Sequence, residues 1–197
     1  MNQAQKHLSR DPIMKKLIGE HQLKEYWGSK GNYFLDLVDI VTGQQLSVKA
    51  AATIFSRLEQ LFFPDSPTPE TVLSTSLDQL RAIGLSRSKS SYIHNIAQAV
   101  KEGTLDLDAI EGLDDQIIID QLINIKGLGP WSAEMFLMFS LKRPDIFSVG
   151  DLGLRKAIER HYSVSADDHQ QILELAESWR PHRTTAARYL WASLDNV

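Results

Sequence analysis

Along "QQLSVKAAATIFSRLEQLFF", residues 44–63, apolar side chains recur every four positions at Leu46, Ala50, Ile54, Leu58 and Phe62. Phe55 and Leu61 widen the stripe, so the spacing predicts one amphipathic helix with a buried face. Three prolines in "FFPDSPTPE" end it. A new helix is expected near Pro69, because a first helical position tolerates a missing N–H. "SLDQLRAIGLSRSKSSYIHNIAQAV" reads as a short helix stopped at Gly84, then a longer one capped by Ser86. "LDDQIIIDQLINI" keeps helical spacing up to Gly127-Leu128-Gly129, and "WSAEMFLMFSL" resumes it. A loop at "KRPDIFSVG" precedes three more helical segments, "DLGLRKAIERHY", "DDHQQILELAESW" and "TTAARYLWASL". The run "QIIID" has a strand-like composition, but no alternating segment lies nearby to pair with it. The pattern predicts an all-α chain, with "PDSPTP" as a candidate joint between two lobes.

Composition adds boundaries to this picture. A chain of 197 residues is long enough for a substantial core, and 43% hydrophobic with 23% charged residues is ordinary for a globular protein. The absence of cysteine excludes disulfides, iron–sulfur clusters and thiolate metal sites, and fits a reducing compartment. "MNQAQKHLSRDP" has no apolar signal region, and no window approaches the roughly 18 apolar residues of a membrane span. These features lead to an expectation of a cytoplasmic protein, nucleoid-associated if bacterial, with no membrane partner. No heptad or exposed strand edge suggests assembly, so a monomer is expected.

The formal charge of −4 runs against a nucleic-acid partner, yet the charges are segregated. Residues 102–120 hold seven acids and no Lys or Arg. Residues 79–101 carry Arg81, Arg87, Lys89 and Lys101 without an acid, and residues 178–194 carry Arg180, Arg183 and Arg188 without one. Such segregation leaves room for a positive face on an acidic protein, although on charge alone solvated helix faces are the favoured explanation.

The turn at Gly127-Leu128-Gly129 carries more information. Glycines allow positive φ and close approach of the backbone to a ligand, and Pro130 suits the head of the next helix. Backbone amides at such a turn make a ready phosphate site. A plain helix–helix connection explains Gly-x-Gly alone. The longer stretch "LINIKGLGPWSA" resembles the helix-hairpin-helix motif, which grips a DNA backbone without reading sequence. In that motif turn carbonyls hold a monovalent cation, sodium or potassium. By position those carbonyls belong to Ile123, Ile125 and Leu128.

Asp151, in "FSVGDLGLRKAI", follows Gly129 by 22 residues. Alone, an aspartate opening a helix reads as an N-cap. After a hairpin at this interval it resembles the essential carboxylate of the helix-hairpin-helix DNA glycosylase superfamily. "DIVTGQQLSVKAA" and "WRPHRTTAARYLW" resemble the alkylated-base, 3-methyladenine DNA glycosylase II branch, and the likeness spans roughly residues 8–194. It implies two helical lobes with a cleft between them, one roughly 36–143 with the hairpin, the other roughly 1–35 plus 144–197.

The resemblance further implies double-stranded DNA with damaged bases as partner and no required cofactor. Branches that also cut the strand place a lysine two positions after the second hairpin glycine, as a Schiff-base nucleophile. That position is Trp131, so a monofunctional enzyme using water is expected. An N-alkylated purine is cationic and leaves easily, so a single carboxylate, Asp151, suffices to steady the developing oxocarbenium and orient water. The base must be flipped out, and aromatic walls suit it. Trp131 and Trp191 are expected as stacking residues, with Tyr189 and Met135 beside them. Gln45 is the expected wedge, flanked by Gln44 and Leu46. Ser86, Lys89, Lys126, Gly127 and Gly129 complete the expected DNA contacts. Three readings compete: a glycosylase for deaminated or other neutral purines, a non-catalytic DNA clamp in which Asp151 is only a cap, and an all-helical protein–protein adaptor, which explains the acidic balance but leaves the ordered motifs a coincidence.

Overall fold

The computed structural model describes residues 1–23 and 29–194. Among these residues every regular element is helical: α1 (Gln3–Leu8), α2 (Pro12–Glu20), α3 (Tyr33–Gly43), α4 (Val48–Phe62), α5 (Pro69–Ser74), α6 (Leu77–Ala82), α7 (Arg87–Lys101), α8 (Asp115–Ile123), α9 (Pro130–Met135), α10 (Leu152–Tyr162), α11 (His169–Glu177) and α12 (Arg183–Ala192). A 3-10 turn covers Ile110–Gly112, and a π-turn covers Phe136–Ser140 directly after α9. The "QIIID" run is helical, as its spacing rather than its composition indicates. No helix among the described residues is long and apolar enough to cross a membrane.

The chain divides into two compact units, Gly28–Phe136 and Met1–Trp27 with Leu137–Val197. In the first, α3 is the central helix. Asn32 caps it by accepting from the amides of Phe34 and Leu35. Phe34, Leu35, Leu37, Val38 and Val41 are all buried, each worth roughly 1.5–3 kcal/mol relative to exposure. The two acids of α3, Asp36 and Asp39, share one face, and the buried Asp36 accepts from Lys30 N at 2.6 Å. The helix packs on α4, α7 and α9.

Helix α4 corrects one sequence expectation. Ser47 caps it by accepting from the Ala50 amide, so the helix starts at Val48 and Leu46 lies outside it. Only Phe55 and Leu58 of the predicted stripe are buried, while Leu46 and Leu61 are exposed. The segment "PDSPTP" links α4 to α5 within this same unit and joins no lobes. Thr68 and Ser76 supply capping boxes for α5 and α6, and Gly84 turns with φ 110° before Ser86 caps α7.

In the other unit, α12 packs on α1, α2 and α10. Its core includes Leu8, Leu17, Leu154, Ile158, Trp179 and Leu190. Asp11 caps α2 through Oδ1, and its Oδ2 accepts from Tyr162 Oη at 2.7 Å and Trp179 Nε1 at 3.2 Å. Burial, then that hydrogen bond, pushes the Tyr162 phenol well above its ordinary range, keeping it a donor.

Candidate functional site

Asp151 is the N-cap of α10, with extended backbone (φ −77°, ψ 118°) and Oδ1 accepting from Leu154 N at 2.8 Å. The same oxygen accepts from Trp191 Nε1, near the end of α12, at 2.9 Å. Two donors from different helices thus fix the orientation of a half-buried carboxylate. The Trp191 ring leans on Phe139, 5.7 Å between centroids at 36°. Gly153 makes the approach possible: a Cβ there would stand 3.0 Å from Asp151 Oδ1 and 3.2 Å from Trp191 Cδ1.

The loop leading to Asp151 is held from the other end of α12. Thr184, fully buried, donates through Oγ1 to Arg143 O at 2.6 Å and accepts from Ile146 N at 3.0 Å. Arg183 forks onto Asp145, Nε to Oδ1 at 2.8 Å and Nη2 to Oδ2 at 3.1 Å, and also donates to Asp145 O at 2.7 Å. Arg180 reaches the same carboxylate at 2.8 Å. Two of the three cations in 178–194 are therefore paired with Asp145 and Glu177, which reduces the positive face inferred from their segregation.

The hairpin belongs to Gly28–Phe136. Gly127 has φ 116°, and a Cβ there would collide with the Tyr92 ring, so glycine is required twice over. Gly129 is different. Its φ of −117° suits any residue, but no atom lies within 4 Å of where a Cβ would be, so its bare backbone faces open space. The carbonyl of Lys126 accepts from Asn95 Nδ2 at 2.8 Å and that of Gly127 from Gln44 Nε2 at 3.0 Å. Ile125 O accepts from Leu128 N at 3.0 Å and keeps a second lone pair, while Ile123 ends α8, where carbonyls lack helical partners. Among the described residues no cluster of His, Cys, Asp or Glu suits a metal.

The other expected residues fall into distinct places. Trp131 is half-buried in the first turn of α9. Tyr189 is only 1% exposed and accepts at its hydroxyl from Gln5 Nε2 at 2.7 Å, and Met135 is buried at the end of α9. Both are buried in the core. Gln45 has a left-handed backbone, φ 56°, and is exposed with Leu46. Lys126 is exposed, and Ser86 caps α7. Lys89 directs its ammonium at protein carbonyls, Thr42 O at 2.8 Å and Gln44 O at 2.7 Å. Gly153, Phe139, Thr184, Tyr92 and Asn95 escaped the sequence reading. Of these only Gly153 left a trace, a glycine inside the first turn of a helix where no turn needs one.

These two constructions, a carboxylate fixed at a helix head and a glycine hairpin with bare backbone, define a class. A family model described as HhH-GPD superfamily base excision DNA repair protein matches residues 38–181, and the chain belongs to that family. Individual relatives narrow the likeness. The chain is 34% identical over 179 residues to DNA-3-methyladenine glycosylase 1 of Schizosaccharomyces pombe, covering 89% of this chain and 78% of that protein. It is 31% identical over 166 residues to the Bacillus subtilis protein YfjP, covering 81% of this chain and 58% of that one, so it spans little more than half of that relative. It also superposes on the solved structure of the S. pombe 3-methyladenine DNA glycosylase Mag1 in complex with abasic DNA, at a TM-score of 0.92 and 31% identity, covering 98% and 97% of the two chains.

Proposed function

We propose that the chain is a monofunctional DNA glycosylase that releases N3- and N7-alkylated purines from double-stranded DNA as the first step of base excision repair. The observation that carries this reading is the carboxylate of Asp151, capping α10 and aimed by the Trp191 indole. The names of the similar proteins, 3-methyladenine glycosylases, point to the same substrates.

Breaking an N-glycosidic bond builds positive charge at C1′ as the base departs. A base alkylated on a ring nitrogen is already cationic, so no acid is needed on the leaving group, in contrast to the paired carboxylates of sugar hydrolases. Asp151 steadies the oxocarbenium-like sugar and orients the attacking water. Trp191 serves chiefly by holding Asp151, and its indole offers a π face to a cationic base, worth roughly 0.5–2 kcal/mol. The amides around Gly127 and Gly129 bind backbone phosphate. Pro130 brings no N–H, and α9 is only six residues long, so the turn contributes more than a helix dipole. Carbonyls of Ile123, Ile125 and Leu128 would hold a sodium or potassium ion there, which adds positive charge beside the phosphate. No lysine stands at position 131, so no Schiff base forms and the strand stays intact.

The test is base release from duplex DNA carrying N3-methyladenine, N7-methylguanine or hypoxanthine, with borohydride added to a parallel reaction on abasic DNA. The expected result is release of the two methylated bases, little hypoxanthine and no covalent trapping. Preferred release of hypoxanthine would favour a neutral-purine enzyme, and no release at all would favour a DNA clamp.

A further inference from the structure

Three side chains at three-residue intervals on α7, Lys89, Tyr92 and Asn95, face two different loops of the same unit. Lys89 Nζ reaches back 47 residues to Thr42 O and 45 residues to Gln44 O, the carbonyl end of α3. Such carbonyls lack helical partners, and a cation there also meets the negative end of the helix dipole. Tyr92 fills the space against Gly127, and Asn95 donates to Lys126 O. A single helix face therefore supports both the loop 43–47 and the hairpin turn.

The two loops are also tied directly. Gln44 donates its amide Nε2 to Gly127 O at 3.0 Å and to Ser132 Oγ at 3.0 Å. The Gly127 carbonyl only accepts, which settles which end of the amide points there. The next residue, Gln45, is held at φ 56°, a conformation that costs a non-glycine residue free energy and persists only where its surroundings over-determine it. Leu46 N closes the turn on Gly43 O at 3.1 Å. Leu46 on this pinned loop is 40% exposed, and Val48 at the head of α4 is 84% exposed.

We propose that Lys89 and Gln44 are positioning residues that lock the 44–46 loop in the shape needed to occupy the gap left by an extruded nucleotide, and that couple this wedge to the strand-gripping hairpin. The inference rests on the glycosylase reading and assigns Lys89 to the protein's own backbone instead of a phosphate. Burial pulls the Lys89 ammonium below the ordinary lysine range, as fits a lysine turned away from bulk solvent. Its charge serves the α3 carbonyls, and the wedge residues Gln45 and Leu46 carry the contact with DNA.

Extrusion is hardest for a paired base and easier for an unpaired one. The test therefore compares single-turnover release of N7-methylguanine paired with cytosine against the same base in a one-nucleotide bulge, for wild type, Lys89→Met, Gln44→Leu and Lys89→Arg. Lys89→Met and Gln44→Leu are expected to slow release from the paired site by about tenfold or more while leaving the bulge nearly untouched. Lys89→Arg, which restores donors to both carbonyls, recovers most of the loss. Equal rates on both substrates, or an equal loss on both, would overturn the proposal, since a general folding or binding role moves the two together. Fluorescence of 2-aminopurine beside the lesion reports extrusion without chemistry. An inert wild type would refute the glycosylase reading, and the fluorescence comparison among the variants would still decide this one.

Discussion

Gly153 sits inside the first turn of α10, where the Asp151 carboxylate and the Trp191 indole meet. A methyl group there would crowd Asp151 Oδ1 at 3.0 Å and the indole Cδ1 at 3.2 Å, so one of them must move. Alanine is intrinsically a better helix former than glycine by roughly 0.8–1 kcal/mol. Gly153→Ala is therefore expected to leave the melting temperature unchanged or raised while slowing base release by about tenfold to a hundredfold, the cost of a misplaced reacting group. Parallel melting and single-turnover measurements check this, and undiminished release would show that the carboxylate tolerates displacement. Asp151 itself was legible in the sequence because an N-cap has a local signature and its interval from the hairpin is distinctive. The bond from Trp191 was not, because it joins positions 40 residues apart. The place of Tyr189 was not legible for a related reason: helical spacing puts residues near one another without saying which way each points.

At the scale of elements, α12 holds the approach to Asp151 from both ends, through Arg183 and Thr184 at its head and Trp191 near its tail. Thr184→Val keeps the shape but removes a buried hydroxyl that donates to Arg143 O and accepts from Ile146 N. Losing both bonds is expected to cost about 1–3 kcal/mol. Urea unfolding should show a lower midpoint with an unchanged slope, and a shift below about 0.5 kcal/mol would mean the loop finds other partners. Most helices were legible because caps and prolines mark their ends, as at Ser76, Ser86 and Pro69. The gaps have physical causes. The central α3 buries Asp36, so its polar positions do not mark a solvent face. The α4 stripe was read too far toward the N-terminus because Leu46 fits the spacing but lies before the Ser47 cap.

At the scale of the whole molecule, segregated charge proved a weaker guide than pairing. Arg180 and Arg183 are satisfied locally, and Lys89 serves backbone carbonyls. A titration follows from His161. Its Nε2 donates to Ser193 Oγ, which itself donates to Leu190 O. Burial first, then Arg160 and Lys16 and in smaller part His21, hold its pKa below the ordinary histidine value of 6.5, with Glu20 opposing. The unfolded chain thus takes up a proton before the folded one as pH falls. The stability contributed by neutral His161 is complete above about 6.5 and is lost as pH drops from there through the depressed folded value. Melting temperatures taken between about pH 7.5 and 5 should fall toward acid, and less steeply in His161→Gln. An identical slope in the variant would assign the acid sensitivity to other groups.

The central claim is that Asp151 is the carboxylate that carries the reaction. Asparagine at this position keeps an oxygen able to accept from Leu154 N and Trp191 Nε1, so the local geometry survives while the charge does not. The most direct measurement is single-turnover release of N3-methyladenine by Asp151→Asn beside duplex-binding affinity of the same protein. Binding should remain within about twofold of wild type and release should fall by at least about a hundredfold. Release at the wild-type rate from a folded, DNA-binding variant would contradict the account.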